Sequence, residues 1–396
     1  MANDQPVISG LEACLADPPK LLRTSRFGLL MNQASVNREG EAACYLMAQA
    51  FPGWLTTLFS PQHGLWGKQQ ANMIETPSSY HLELDLPVYS LYSETRQPTE
   101  QMLREIDCLV IDLQDVGTRV YTYIWTISYC LQACQQAGLP VVVLDRVNPI
   151  GGVQVEGPCL EQDYNSFVGR AAVPMRHGLT VGEMTRWINR AMEIDAELEV
   201  VPLQGWDRSW MFDQAGLPWV APSPNLPDWQ TCLVYPGQVI LEATNVSEGR
   251  GTDQPFRQFG APYIESSRLL HQLQQLELPG VDFKPVTFEP TFDKWSGQSC
   301  LGLELEVVDA VVFRPYRTTL AIVASIAHLW PTEFNWLAPP YEYETEKMPV
   351  DIVTGSGVLR EAIDGGKLLD TTSLDELASV DREDWWQRTA TARLYD

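Results

Sequence analysis

Five short apolar runs in the first half of the chain each lead into polar or charged residues. Phe27–Met31 is followed by Asn32-Gln33, and Leu55–Phe59 by Ser60-Pro61-Gln62-His63-Gly64. Leu86–Leu91 leads to Tyr92. Cys108–Asp112 leads to Gln114, Asp115, Gly117, Arg119, Tyr121 and Tyr123, and Pro140–Leu144 to Asp145, Arg146, Asn148 and Pro149. Other polar clusters stand in irregular segments: Glu156-Gly157, Arg176-His177-Gly178, Pro222 to Asn225, and a run holding Glu242, Asn245, Glu248, Arg250 and Thr252. One such ending is a helix cap or a turn; five on one edge of one sheet point to a site. Carboxylates transfer protons or attack an anomeric carbon, amides and guanidiniums bond hydroxyls, and aromatic faces pack on sugar rings. The mixture suits a sugar, and the 13 Trp fit it without discriminating.

Other chemistries lack their signatures. Asn32-Gln-Ala-Ser stands where a dinucleotide site would carry GxGxxG, and GxxxxGK[ST] is absent, so no phosphate cradle is written in the sequence. GxSxG is missing, which argues against an α/β-hydrolase serine. The 5 His and 8 Cys show neither HExxH nor CxxC spacing, so no metal site and no cofactor is expected and the cysteines read as reduced core residues. A net charge of -24 repels phosphate backbones, excluding nucleic acid as a partner and disfavouring anionic membranes. No apolar run reaches membrane-spanning length, and the start lacks a basic n-region and apolar h-region, so a cytoplasmic protein is expected.

The elements follow from the spacing. Continuous apolar runs without alternation predict strands buried on both faces, as in a parallel sheet. Helices are predicted between them at 41–50, 99–106 and 124–137, the last stopped by Gly138. Thr180 with Glu183 reads as a capping box opening a helix towards Ala191. A strand is predicted over 198–203, an ordered proline-rich loop over 219–227, and short strands at 233–235 and 239–241. Beyond Pro255 come a helix from Ser266, strands near 286–289 and 303–308, a helix at 319–329, and two or three short helices after Lys347. The prediction is a Rossmann-like, doubly wound α/β catalytic domain over residues 1–254 and a smaller α+β auxiliary domain over 255–396.

At the polar loops the chain resembles a known family. Ser60-Pro-Gln-His-Gly64, Asp112 through Tyr123, Leu144-Asp-Arg-Val-Asn-Pro-Ile-Gly-Gly152, Pro174 through Glu183, Pro222-Ser-Pro-Asn225, Tyr235-Pro-Gly237 and Ser247-Glu-Gly-Arg-Gly-Thr252 together look like the exo-β-N-acetylmuramidases, bacterial glycoside hydrolases. The resemblance runs in order over most of the chain. It implies a Rossmann-like catalytic domain with an appended domain, release of N-acetylmuramic acid from non-reducing ends of peptidoglycan fragments, and no metal or organic cofactor. Two other readings stay open: a non-hydrolytic amino-sugar-binding protein, and a hydrolase for another N-acetylated hexosamine.

One position departs from the pattern. Family members commonly carry Glu-His-Gly after the second strand, and that Glu is a catalytic candidate; here the residue is Gln62. An amide hydrogen-bonds but neither donates a carboxyl proton nor attacks carbon. The candidate catalytic carboxylates are therefore Glu75, Asp115 and Glu248. Asp112 and Asp145 are read as residues that orient their neighbours rather than do chemistry, because Asp-Arg adjacency favours a salt-bridged, ionised acid. The lactyl carboxylate of N-acetylmuramic acid calls for a cation, and Arg119, Arg176-His177 and Arg250 are the candidates. Asn32, Gln62, His63, Tyr123, Asp145, Arg146, Asn148, Glu156, Asn225, Glu242 and Asn245 complete the expected substrate-binding set.

Overall fold

The five apolar runs form strands, and all five lie in one seven-stranded sheet. The computed structural model describes residues 7–67, 75–366 and 369–396. The sheet comprises β1 (Phe27–Met31), β2 (Leu55–Ser60), β3 (Ser79–His81), β4 (Leu86–Ser90), β5 (Cys108–Asp112), β6 (Val141–Leu144) and β9 (Leu198–Val201) in the order β3-β4-β2-β1-β5-β6-β9. Every pairing is parallel except the edge strand β3, which runs antiparallel to β4. The runs are apolar throughout because successive side chains feed two cores. On β5, Leu109 and Ile111 enter one core while Cys108 and Val110 enter the other. Each buried aliphatic side chain contributes about 1.5–3 kcal/mol. Helices α1 (Gly10–Ala16) and α2 (Ala43–Ala50) cover one face, and α4 (Tyr123–Ala137) and α5 (Val181–Ala191) cover the other. The sheet is doubly wound, as its patterning predicts.

Chain order fixes where a ligand can enter. From β1 the chain builds outward to β2 and β4, then returns to β5 and builds the opposite flank. The order reverses between β1 and β5, and a crevice opens beyond their carboxyl ends.

The predicted caps are observed. Gly138 stops α4 with φ 67°, and Thr180 and Glu183 form the capping box of α5. Helix α3 is one turn only, Glu100–Leu103, capped by Thr99. Two expectations are corrected. Residues 233–235 and 239–241 are not strands: Trp229–Gln238 is helix α6, followed by a 3-10 turn over Val239–Ala243. Asp228 caps α6 by accepting from Thr231 N at 2.7 Å. The error has a physical source, since most of α6 is buried and a helix buried all round shows no polar stripe to set its period. A two-stranded antiparallel ribbon, β7 (Glu156–Cys159) with β8 (Pro174–Arg176), was also not predicted.

The second half is a smaller α+β unit. Strands β10 (Gln258–Ala261), β11 (Val281–Phe288) and β12 (Cys300–Val307) form an antiparallel sheet in the order β10-β12-β11. It is flanked by α7 (Ser266–Leu273) and α8 (Pro315–Leu329). Four short helices complete the tail, α9 (Pro349–Thr354), α10 (Val358–Asp364), α11 (Thr371–Leu377) and α12 (Arg382–Thr389). One core runs continuously through both halves, from Leu109 and Ile127 to Leu320 and Trp385. Among the described residues no helix is long and apolar enough to cross a membrane.

Candidate active site

A narrow pocket opens beyond the carboxyl ends of the central strands. Gln62 and His63 from the β2 loop, Tyr121 and Thr122 from the β5 loop, Asn225, and Tyr235, Glu242 and Arg250 around α6 line it. Phe256, Tyr341 and Glu342 close it from the second half. Beneath lies Tyr123, whose hydroxyl accepts from Asn32 Nδ2 at 2.7 Å and donates to the Pro222 carbonyl at 2.8 Å. This pair ties the ends of β1 and β5 to the proline-rich 219–227 loop, directly at the reversal in strand order.

Gln62 is held on both sides of its amide. Its Oε1 accepts from Thr122 Oγ1 at 2.7 Å, and its Nε2 donates to Tyr92 Oη at 3.1 Å and towards Glu342 Oε1 at 3.4 Å. The Tyr92 hydroxyl in turn donates to Glu342 Oε2 at 2.8 Å. Thr122, Gln62, Tyr92 and Glu342 therefore form one directed chain ending on a carboxyl. Glu342 is 3% exposed, and burial raises its pKa from the ordinary carboxylate value to about 7, with Glu242 adding to the rise and the bonds from Tyr92 and Gln62 opposing it.

Opposite stands a set of fixed charges. Arg250 reaches Glu242 Oε1 at 2.5 Å and Glu248 Oε1 at 3.1 Å. Lys294 reaches Glu248 Oε2 at 2.6 Å and also donates to the carbonyls of Leu241, Thr244 and Val246. Burial alone would raise the Glu248 pKa, but Lys294 and then Arg250 outweigh it and hold the residue below its usual value. The second Glu242 oxygen accepts from Tyr341 Oη at 2.7 Å. Gly249 and Gly251 flank Arg250 at φ 79°, where Cβ atoms would press within 2.8 Å of the Gln258 carbonyl and of Phe292 backbone atoms. The glycines thus permit close approach of the protein's own backbone, which sets Arg250 in place.

The structure brings together only part of the predicted set. Gln62, His63, Asn225, Glu242 and Arg250 line the pocket, Glu248 stands behind Arg250, and Asn32 and Tyr123 lie beneath. The rest lie elsewhere. Glu75 is exposed, 3.8 Å from Arg96. Asp115 accepts from Gly117 N at 2.8 Å and lies 3.3 Å from His177 Nε2, both fully packed under the loop. Arg119 spends its guanidinium on the carbonyls of Pro158, Val173 and Val353, and burial without an acid partner lowers its pKa to about 10. Arg176 donates to Gln154 and the Ile150 carbonyl. Glu156 receives the free N–H groups of Tyr316 and Arg317 at the start of α8. Asn148 donates to the Leu179 carbonyl, and Asn245 to that of Glu333. Arg146 pairs with Asp112 at 2.5 Å. Asp145 makes no ion pair with the Arg146 guanidinium, which turns to Asp112: it accepts from Arg146 N, Gly182 N, Thr180 Oγ1 and Tyr395 Oη, and burial raises its pKa to about 7 against the last three bonds.

Glu342 and Tyr341 are the residues that sequence reading missed, while Tyr92 was noted as the ending of the third run but not placed in the binding set. The only signal was Pro339-Pro-Tyr-Glu-Tyr-Glu344, an aromatic–acid alternation behind two prolines. Among the described residues no group of His, Cys, Asp and Glu is placed to hold a metal.

Comparison with known proteins places the chain in a family. Two family models match in tandem: exo-β-N-acetylmuramidase NamZ, N-terminal, over residues 27–230, and exo-β-N-acetylmuramidase NamZ, C-terminal, over residues 233–395. The peptidoglycan β-N-acetylmuramidase NamZ of Bacillus subtilis (strain 168) is 39% identical over 394 residues, covering 100% of this chain and 92% of that protein. A DUF1343 family protein from Bacteroides fragilis NCTC 9343 superimposes with a TM-score of 0.88 at 30% identity, covering 99% of both chains. A second one from the same strain shares the fold, with a TM-score of 0.78 at 24% identity over 99% of each chain. With one family model spanning more than half the chain and a full-length relative at that identity, the chain belongs to the exo-β-N-acetylmuramidase family.

Proposed function

We propose that the chain is a glycosidase that releases N-acetylmuramic acid from the non-reducing end of peptidoglycan fragments. The observation that carries the reading is the pocket, which sets a buried carboxyl bonded by Tyr92 and Gln62 and an arginine fixed between two acids at the switch point of the sheet, in a chain of this family. A sugar entering the pocket would meet Gln62, His63 and Asn225 as hydrogen-bonding partners for its acetamido and hydroxyl groups, beside an aromatic wall in which Tyr121, Tyr235 and Phe256 pack edge to face. Arg250 is the cation nearest to hand for the lactyl carboxylate. Of the three carboxylates expected from sequence, we assign Glu248 to holding Arg250 and Asp115 to holding the loop that carries Tyr121 and Thr122. Glu75 is left outside the pocket lining, exposed beside Arg96.

The test is turnover by purified protein of a chromogenic N-acetylmuraminide beside the matching N-acetylglucosaminide. The proposal expects hydrolysis of the first with little of the second, since only the first carries the lactyl group. Equal rates on both would mean a hexosaminidase of broader scope. No turnover of either, with binding of the free sugar, would favour the non-hydrolytic reading that the amide at position 62 suggests. We further propose that the protein acts in the cytoplasm on recovered wall fragments. Seven of its eight cysteines are buried, the pattern of thiols kept reduced as core residues. Fractionation of the source cells tests the location.

A further inference from the structure

Position 62 holds an amide at the pocket, and a carboxyl meets it. That carboxyl comes from the far end of the chain, 280 residues away, and meets the Gln62 amide nitrogen. We propose that Glu342 is the proton donor to the departing glycosidic oxygen, an inference that rests on the hydrolytic reading above.

Three observations converge. First, position: Glu342 lines the same pocket as Gln62, His63, Asn225 and Arg250. Second, presentation. Glu342 and Tyr343 have φ of 43° and 71°, and Tyr341 and Glu344 exchange both backbone hydrogen bonds at 2.9 Å. This is a two-residue turn with both central residues left-handed, a place that Asn-Gly or Gly-Gly normally fills. Two bulky residues there hold a strained backbone, and the result is a glutamate aimed inward with its carboxyl bound at both oxygens. His63 and Phe256, at φ 71° and 61°, bring to three the pocket residues held in this region. Third, division of labour. Among the described residues Glu342 is the pocket carboxyl without a cation bonded to it, whereas Glu242 and Glu248 both bond Arg250. Burial raises the Glu342 pKa while Lys294 and Arg250 lower that of Glu248, and two acids pushed apart in this way mark an acid and a charged partner.

The step balances. The proton on Glu342 passes to the glycosidic oxygen as the bond from that oxygen to C1 breaks, with its electron pair leaving on the alcohol. Water supplies a hydroxyl to C1, and its remaining proton restores the Glu342 carboxyl, directly or through solvent. One water is consumed and the protein is unchanged.

The experiment uses Glu342→Gln and two N-acetylmuraminides, one with a poor leaving group (4-methylphenyl) and one with a good one (2,4-dinitrophenyl). Loss of a general acid should cost about 10²–10⁴-fold in kcat/KM on the poor leaving group and far less on the good one. A residue that only shapes the pocket would cost the same on both, and that result overturns the proposal, as does no loss on either. The wild-type pH profile tests the role without a variant. On the poor leaving group kcat/KM should fall above about 7, while on the good one it should stay flat. The titratable and charged groups facing Glu342 are Tyr92, Glu242, Arg250, Tyr235, Tyr341 and His63. An alkaline limb that persists in Glu342→Gln belongs to one of these and overturns the assignment. Exchanging the pair, Gln62→Glu with Glu342→Gln, should recover at least tenfold of the loss on the poor leaving group. A wild type inert towards both substrates would overturn the hydrolytic reading and this role with it. An active wild type matched by Glu342→Gln overturns the role alone.

Discussion

Arg250 is shared between two glutamates, and Glu248 between two cations, so the pocket wall is a chain of alternating charge sealed from water. Removing one member leaves a buried charge uncompensated. Glu248→Gln should therefore lower stability by about 3–5 kcal/mol, read by urea unfolding, and reduce activity as Arg250 shifts. Glu75→Gln, exposed beside Arg96, should change stability by less than about 0.5 kcal/mol and leave kcat/KM within about twofold. If Glu75→Gln abolished turnover, the carboxyl assignments made here would be wrong. Two other acids govern how stability varies with pH. Asp145 and Glu342 both have folded pKa values raised to about 7 by burial. The folded chain thus keeps protons that the unfolded chain has already released. Their stabilisation is full below about pH 4 and is lost as pH rises through about 7, by about 4 kcal/mol for Asp145 and about 3 kcal/mol for Glu342. Glu342→Gln and Asp145→Asn should each flatten the fall in melting temperature between pH 5 and 8. A steeper fall in either variant would reverse the sign argued here.

Helix α6 and the 341–344 turn show how much of the site could be read from sequence. The loops after β1, β2 and β5 were legible, because a strand buried on both faces must end where its polar residues begin. So was the cluster around Arg250, whose glycines and mixed charges stand out in any reading. The turn was not legible. Its strand-like bridge joins two residues only three apart, and nothing in Tyr-Glu-Tyr-Glu says that position 342 faces position 62. Helix α6 was misread because it shows no polar face, and Pro236 within it argued against helix. Its packing makes a sharp prediction. A Cβ on Gly237 would lie 2.0 Å from the Pro315 carbonyl oxygen and 2.5 Å from Thr319 Oγ1, so α6 and α8 touch backbone to backbone. Gly237→Ala should cost about 2–4 kcal/mol through overpacking. It should also raise KM, because α6 and the turn after it carry Tyr235 and Glu242. Unchanged melting and unchanged KM would show that the helices separate more freely than their contact implies.

Across the whole molecule, a net charge of -24 surrounds a pocket proposed to admit a carboxylate sugar. Such a surface repels its own substrate over roughly 30 Å at 10 mM salt and over about 8 Å at 150 mM. kcat/KM on a muraminide should therefore rise severalfold between those salt concentrations, through KM rather than kcat. A fall would place a local positive field at the pocket mouth that outweighs the surface. The continuous core predicts a single cooperative melting transition for the two halves; two separated transitions would establish them as independent units.

The bond from Gln62 to Glu342 joins the second strand's loop to a turn near the end of the chain. A polypeptide still being made carries its amide long before its acid, and neither half holds a full complement of pocket residues. Catalytic competence then arrives as the last act of folding rather than by degrees. The same seam makes hydrolysis a reporter of assembly: two fragments parted between the halves would be silent alone, and their activity would count the pairs that had come together.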